Sequence, residues 1–270
     1  VTLTETAYAK INLALHVRRR REDGYHELET LFAFVDDGDR LEARAASNDE
    51  LRLSGEFAEQ LSRTSDNIVS QALATLPHRD GLSITLDKRL PVAAGLGGGS
   101  ADAGAVFRLV RQSEGLPADW QTRAAALGAD VPACVESRAC IGRGTGTDLL
   151  PVVNDLSQTP VLLVNPRIPL ATGPIFRGWD GIDRGPLPEG PASRIATVGR
   201  NDLEAPAIAL CPAIADVLAA LRATDALLVR MSGSGATCFA LFSSHDAMSK
   251  AMKEIRKGHP GWWQMAGALR

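Results

Sequence analysis

Pro91-Val92-Ala93-Ala94-Gly95-Leu96-Gly97-Gly98-Gly99-Ser100-Ala101-Asp102 places glycine at four of the five positions from 95 to 99. Leu82, Ile84 and Leu86 alternate ahead of it as a strand. Ala103, Val106, Phe107 and Val110 follow at helical spacing, in a helix expected from Ala101 to Glu114 with its stop at Gly115. The segment therefore joins a strand to a helix. Without a Cβ, a glycine run lets successive N–H groups converge on an anion, and the positive end of the next helix adds to that field. The chemistry is that of a phosphate cradle. Ser100 caps the helix or presents its hydroxyl to a phosphate or a metal ion. A flexible hinge is the bland reading of the same residues. A Walker loop is excluded because no Gly-x-x-x-x-Gly-Lys-[Ser/Thr] occurs, and the third glycine of a dinucleotide fingerprint falls on Ser100.

Outward from that loop, the N-terminal region reads as strands. From Val1 to Val17 the odd positions are mostly apolar, and the other face carries Tyr8, Lys10, Asn12 and His16. Lys10 and Asn12 look the same way, either into a cleft or into solvent. After a turn at Asp23-Gly24, Tyr25 to Val35 reads as a second strand, and Asp37-Gly38-Asp39 as a hairpin turn. Ile68, Val69, Ala72, Leu73 and Leu76 mark a helix with Asp66 as candidate N-cap, and a short helix precedes Gly128. Prolines crowd the stretch from Pro151 to Arg200, which reads as a boundary or a loop region. Strands at Leu227–Met231 and Thr237–Phe242 flank Gly233-Ser234-Gly235, with a helix after them from about Asp246 to Lys257.

The totals bound the classes available. A chain of 270 residues, 45% hydrophobic and 23% charged, fills a large core and is expected to divide into two lobes. No apolar run approaches the roughly 18 residues that span a bilayer, and Lys10 and Asn12 interrupt the apolar start, so neither membrane insertion nor a signal peptide is expected. The chain is expected in the cytoplasm. The cysteines, Cys134, Cys140, Cys211 and Cys238, lack zinc spacing and read as small buried hydrophobes. A net charge of -3 argues against nucleic acid as a partner. The basic run Arg18 to Arg21 reads as a solvated turn or as a local attraction for an anionic substrate. Lys88-Arg89 reads as a solvated pair at a strand end or as a phosphate contact. Oligomeric state is not legible.

Taken whole, Pro91-x-x-x-Gly95-Leu96-Gly97-Gly98-Gly99-Ser100-Ala101 resembles the phosphate loop of the GHMP kinases, the superfamily of galactokinase and of homoserine, mevalonate and phosphomevalonate kinases. Ala9-Lys10-Ile11-Asn12-Leu13, Asp23-Gly24-Tyr25-His26-Glu27-Leu28 and Leu127-Gly128-Ala129-Asp130-Val131-Pro132 resemble the branch that acts on a cytidine diphosphate conjugate of methylerythritol. Asn165-Pro166, Asn201-Asp202-Leu203 and Ser232-Gly233-Ser234-Gly235-Ala236 fit the same branch. The likeness runs from Ala7 to about Phe242. One departure is Ala101, where many relatives carry a second serine.

The resemblance implies an α+β, two-lobed fold with substrate and ATP in a cleft between the lobes. Residues 1–150 would form the ATP-binding lobe and 151–270 the lobe carrying the Gly-Ser-Gly loop. It includes a left-handed βαβ crossover, an exception to the right-handed rule. The implied reaction is ATP-dependent phosphorylation of the 2-hydroxyl of 4-(cytidine 5'-diphospho)-2-C-methyl-D-erythritol, in the non-mevalonate route to isoprenoid precursors. Lys10 and Asp130 would be the catalytic pair, although Asp130 before Val131-Pro132 also reads as a plain helix cap. Residues 91–101 would hold the phosphates and Asn67 the adenine. Tyr25 would stack on the cytosine, His26 would bind its polar edge, and Phe176 would close the other side or pack within the second lobe. Asn12 and Thr172 complete the substrate set. Mg2+ is expected with ATP, and no residue is assigned to it. Rival readings are another kinase of the superfamily, against which Asp23-Gly24-Tyr25-His26 argues, and a non-catalytic nucleotide-binding module, against which Lys10 and Asp130 argue.

Overall fold

The computed structural model describes residues 2–61 and 66–270; Val1, where the alternating pattern begins, lies outside the described residues. Two compact units divide the chain. The first takes Val1–Lys10, Asp37–Val92 and Gly97–Ser137, and the second Ile11–Asp36, Ala93–Leu96 and Arg138–Arg270. Two long strands, β1 (Thr2–Arg20) and β2 (His26–Ala46), contribute to both.

The first unit adds β3 (Glu50–Ser54), α1 (Ile68–Thr75), β4 (Gly81–Asp87), α2 (Gly98–Glu114), α3 (Trp120–Leu127) and α4 (Val131–Glu136). β4 lies antiparallel to the end of β2, with Arg40 opposite Asp87 and Ala46 opposite Gly81, and parallel to β3. A parallel pair needs a crossover, and α1 supplies it. Ala7, Ala9, Leu41, Ala43, Ile84, Leu86, Val69, Ala72, Leu73, Ala103, Val106, Phe107 and Val110 are all buried, so the alternating and helical patterns of the sequence point into one core. Such packing, at about 1.5 to 3 kcal/mol per fully buried large side chain, is what holds α2 in place.

The hairpin expected at Asp37-Gly38-Asp39 does not form, because β2 runs straight through it. Gly38 faces the backbone of β1, where a Cβ would stand 1.9 Å from the Ala7 carbonyl oxygen. The glycine serves close strand contact. The aspartates are taken up by the segment ahead of the glycine loop. Asp37 pairs with Arg89 at 2.7 Å, and Asp39 accepts the backbone N–H groups of Arg89 and Leu90 at 2.6 and 2.7 Å. Lys88 is 1% exposed, contrary to the solvated reading, and its ammonium lies 2.5 Å from Asp39 and 2.6 Å from Asp102.

The second unit adds β5 (Cys140–Gly144), β6 (Asp148–Pro151), β7 (Pro160–Asn165), α5 (Thr172–Arg177), α6 (Ala192–Val198), α7 (Glu204–Leu210), α8 (Ala213–Arg222), β8 (Leu228–Met231), β9 (Cys238–Leu241), α9 (His245–Gly258) and β10 (Trp263–Ala268). The start of β2 pairs antiparallel with β5, and β5 with β6. A separate antiparallel sheet has the order β10-β7-β9-β8. Leu162, Val164 and Ala240 from this sheet pack with Ile214, Val217, Leu218 and Leu221 of α8 and with Met248, Ala251 and Ile255 of α9. The proline-rich stretch read as loop holds β7, α5 and α6. β7 is buried at every position, a continuous apolar run whose flanking prolines stay out of its interior. Cys134, Cys211 and Cys238 are buried thiols, while Cys140 is half-buried. Among the described residues no helix is long and apolar enough to cross a membrane.

Candidate active site

The glycine loop turns through left-handed backbone at Ala93, Gly95 and Gly97, with φ of 53°, 75° and 59°. Gly97 is the N-cap of α2, which begins at Gly98, ahead of the expected Ala101. Ser100 therefore lies in the first helical turn and does not cap it. Residues 98–100 keep N–H groups at the positive end of a 17-residue helix, the arrangement that binds phosphate.

In the first unit, Lys10 and Asp130 meet beside this helix start. The Lys10 ammonium stands 3.0 Å from Asp130 Oδ2. Lys10 is 4% exposed, which removes the solvent reading of its strand face. Asp130 occupies the N-cap position of α4, yet its side chain makes no capping hydrogen bond. The plain cap reading of Asp130 therefore fails, and the carboxylate is turned to Lys10 instead. A Cβ on Gly97 would lie 2.8 Å from Lys10 Cε and 3.8 Å from Asp130 Oδ2, so the loop is in van der Waals contact with the pair. A Cβ on Gly128 would lie 3.9 Å from Ser100 Oγ, which brings the segment before Asp130 to the same turn of α2.

Two devices hold this geometry, and neither was read from the sequence. Arg108 of α2 binds Glu5 at 3.0 Å and the Thr6 carbonyl at 2.6 Å, both in β1, and the Cys134 carbonyl of α4 at 2.6 Å. It ties the strand bearing Lys10 to the helix headed by Asp130. Lys88 lies under the loop, 3.1 Å from where a Cβ on Gly98 would be. Burial pushes the Asp102 carboxyl well above the usual range against the opposing pull of Lys88, and its Oδ1 has no hydrogen-bond partner among the described residues. Asn67, not Asp66, caps α1, its Oδ1 accepting from Val69 N at 2.9 Å. Ile68 next to it reaches Gly99, with 3.6 Å between Cγ2 and an ideal Cβ.

In the second unit the front of the loop is clamped by the Gly-Ser-Gly segment. Ser232 Oγ donates to the Gly95 carbonyl at 2.8 Å, and Thr237 N to the Ala94 carbonyl at 3.1 Å. Asn201 donates to the carbonyls of Met231 and Gly233, both at 2.8 Å. Asn12 donates its backbone N–H to Ser232 Oγ and its side chain to Thr30, and Thr172 Oγ1 lies 3.0 Å from Ser234 Oγ. The structure thus gathers Asn12 and Thr172 at one turn.

His26 and Phe176 also come together, with ring centroids 5.0 Å apart. Trp179 stands edge-on to His26 at 5.9 Å, a neighbour that sequence reading missed. Tyr25, next to His26 in the chain, is 66% exposed. Burial, and then the charge of Arg20, hold His26 below the ordinary histidine range. Among the described residues no group of three or more His, Cys, Asp or Glu is placed to hold a metal ion.

Family models of the GHMP kinases match the chain twice: the N terminal domain at residues 65–140 and the C terminal at 190–261. The 4-diphosphocytidyl-2-C-methyl-D-erythritol kinase of Novosphingobium aromaticivorans is 65% identical over all of this chain and 94% of its own length. The enzyme of the same name from Erythrobacter litoralis is 62% identical over 99% of this chain and 100% of its own length. A crystal structure of a 4-(cytidine 5'-diphospho)-2C-methyl-D-erythritol kinase superposes with a TM-score of 0.83 at 34% identity, covering 99% of both chains. A homoserine kinase from Cytophaga hutchinsonii shares the fold, with a TM-score of 0.69 at 19% identity over 99% of this chain and 95% of its own.

Proposed function

The chain belongs to the 4-diphosphocytidyl-2-C-methyl-D-erythritol kinase family of the GHMP kinases, and from that premise we propose that Lys10 and Asp130 carry its phosphoryl transfer. The reaction moves the terminal phosphoryl group of ATP to the 2-hydroxyl of 4-(cytidine 5'-diphospho)-2-C-methyl-D-erythritol, a step of the non-mevalonate isoprenoid route. The observation that supports the catalytic assignment is the 3.0 Å Lys10–Asp130 pair held against Gly97, with the Asp130 carboxylate released from capping.

An alcohol attacks phosphorus poorly at neutral pH. Asp130, in hydrogen-bond reach of the 2-hydroxyl, orients it and accepts its proton as the new O–P bond forms and the bond to the ADP oxygen breaks. Lys10 offsets the negative charge that accumulates on the phosphoryl oxygens. Residues 91–101 bind the ATP phosphates through loop N–H groups and the α2 terminus, and Asn67 contacts the adenine. Tyr25, His26 and Phe176 hold the cytosine, while Asn12 and Thr172 hold the remainder of the substrate. In functional terms nucleotide binding is assigned mainly to residues 1–150, of which Ile11–Asp36 and Ala93–Leu96 belong to the second compact unit, and the Gly-Ser-Gly loop to 151–270.

Mg2+ accompanies the ATP. It would keep several waters and draw ligands from phosphates, with Ser100 Oγ in the first turn of α2 as the side-chain oxygen that would reach it, since no carboxylate cage is present among the described residues. The ion would neutralise charge on the β- and γ-phosphates. With ATP as donor, the cytoplasm is the compartment this reading assigns to the reaction. The test is coupled ADP release. The cytidine conjugate should support turnover, and methylerythritol phosphate, homoserine and mevalonate should not; equal use of any of these three refutes the substrate assignment.

A further inference from the structure

Arg20, at the end of β1, has no role in the assignments above. Its Nε–H donates to His26 Nε2 at 3.4 Å, and its Nη2 donates to the carbonyl of Arg177 at the end of α5, also at 3.4 Å. A guanidinium carries five N–H donors and no acceptor, and it stays charged at any pH where the protein is folded. The nitrogen facing it has to offer a lone pair. A neutral imidazole has one proton for two nitrogens, so with Nε2 accepting, the proton sits on Nδ1. Burial and the Arg20 charge both keep His26 neutral.

The ring has little freedom to answer otherwise. It is 7% exposed, tilted against Phe176 by 40° and set edge-on to Trp179 at 83°. Its one remaining polar function is therefore an N–H donor at Nδ1. Trp179 adds a second donor to the surroundings, since its indole N–H is buried with no hydrogen-bond partner among the described residues.

We propose that Arg20 is a positioning residue that fixes His26 as an Nδ1–H donor, and so selects a pyrimidine whose ring nitrogen N3 accepts a hydrogen bond. This deepens the reading of His26 as the residue that binds the base, and rests on it. Cytosine presents a lone pair at N3, whereas uracil presents an N–H there. With uracil two donors would face each other, and the His26 donor, on a ring only 7% exposed, would go unmet. The carbonyl at C2 is common to both bases, so the discrimination resides at one atom.

The tautomer and the base preference are measured separately. Imidazole 15N NMR reports which nitrogen of His26 carries the proton, and calorimetry reports the binding of cytidine and uridine diphosphates. Wild type should show the Nδ1–H form and bind the cytidine compound about tenfold more tightly than the uridine one, the worth of one hydrogen bond. Arg20→Leu should move the proton toward Nε2 and erase that preference, with the KM for ATP unchanged. Arg20→Gln, whose amide still donates, should retain most of it. An unchanged His26 tautomer and an intact preference in Arg20→Leu would overturn the proposal. The underlying base reading fails by a different result: His26→Phe binding cytidine diphosphate as tightly as wild type.

Discussion

Gly97→Ala separates the two jobs of the glycine loop. Gly97 has φ of 59°, and an added Cβ stands 2.8 Å from Lys10 Cε. Left-handed backbone costs a residue with a Cβ about 1 to 2 kcal/mol, which for a chain of this size lowers Tm by about 2 to 8 °C. Contact between carbons relaxes at about 3.5 Å, so Lys10 has to retreat by roughly 0.7 Å from a position where it is almost fully buried. That displacement pulls the ammonium away from Asp130. Misplacement on the order of 1 Å costs on the order of a hundredfold in rate, and kcat should fall ten- to a hundredfold. The assay is coupled ADP release at saturating ATP, paired with calorimetric Tm. Gly258→Ala is the control, because it lies outside the loop at the end of α9 and its Cβ meets nothing within 4 Å among the described residues. Its Tm should hold or rise, and its kcat should stay within a few-fold of wild type. A Gly97→Ala enzyme that loses the expected stability yet turns over within twofold of wild type would refute the idea that the loop sets the position of Lys10.

Asp130→Asn and Lys10→Ala should each lower kcat by on the order of a hundredfold or more. Asparagine keeps the size of aspartate without its charge, so near-normal turnover in Asp130→Asn would remove the carboxylate from the mechanism. Tyr25→Ala and Phe176→Ala should weaken cytidine diphosphate binding by roughly one to two orders of magnitude in calorimetry, and ATP binding should not change. His16 is buried with Nδ1 donating to the Gly185 carbonyl at 3.1 Å and Nε2 accepting from Arg200 N at 3.2 Å, and burial followed by the Arg200 charge lowers its pKa. The unfolded chain takes up this proton near the ordinary value of about 6.5, the folded chain only at lower pH. Stability present above about 6.5 is therefore lost as pH falls toward the lowered folded value; denaturant melts at pH 7.5 and 5 check this, and a flat profile would contradict it.

The alternation of β1 and the glycine loop were legible because period and composition carry them. Lys10, Asn12 and His16 share a face by alternation alone, but whether that face met water or protein depended on partners elsewhere in the chain. Asp37-Gly38-Asp39 misled for a related reason. A glycine between two aspartates signals a turn locally, and here it answers to the β1 backbone and to Lys88 and Arg89, some fifty positions onward. Arg108 and Arg20 look like any surface arginine in sequence. Their importance lies in which carbonyls and ring nitrogens they reach, and no local pattern encodes that. Asp130 was readable as a cap or as a catalytic group, and the direction of its side chain, toward Lys10 with no capping bond, removes the cap.

The chain crosses between its two units at Lys10/Ile11, Asp36/Asp37, Val92/Ala93, Leu96/Gly97 and Ser137/Arg138. Synthesis consequently cannot finish the units in order. Ile11–Asp36 emerges early but belongs to the later unit, and Val17 waits for Asp202, 185 residues on, to receive its hydrogen bond. At about 5 to 20 residues per second that interval is roughly 10 to 40 s, during which β1 and β2 have each other but lack the later elements that complete their unit. The nascent protein is thus exposed to chaperone capture and misassembly for most of its translation, and slowing translation beyond Ser137 should lower the yield of active enzyme more than slowing it before.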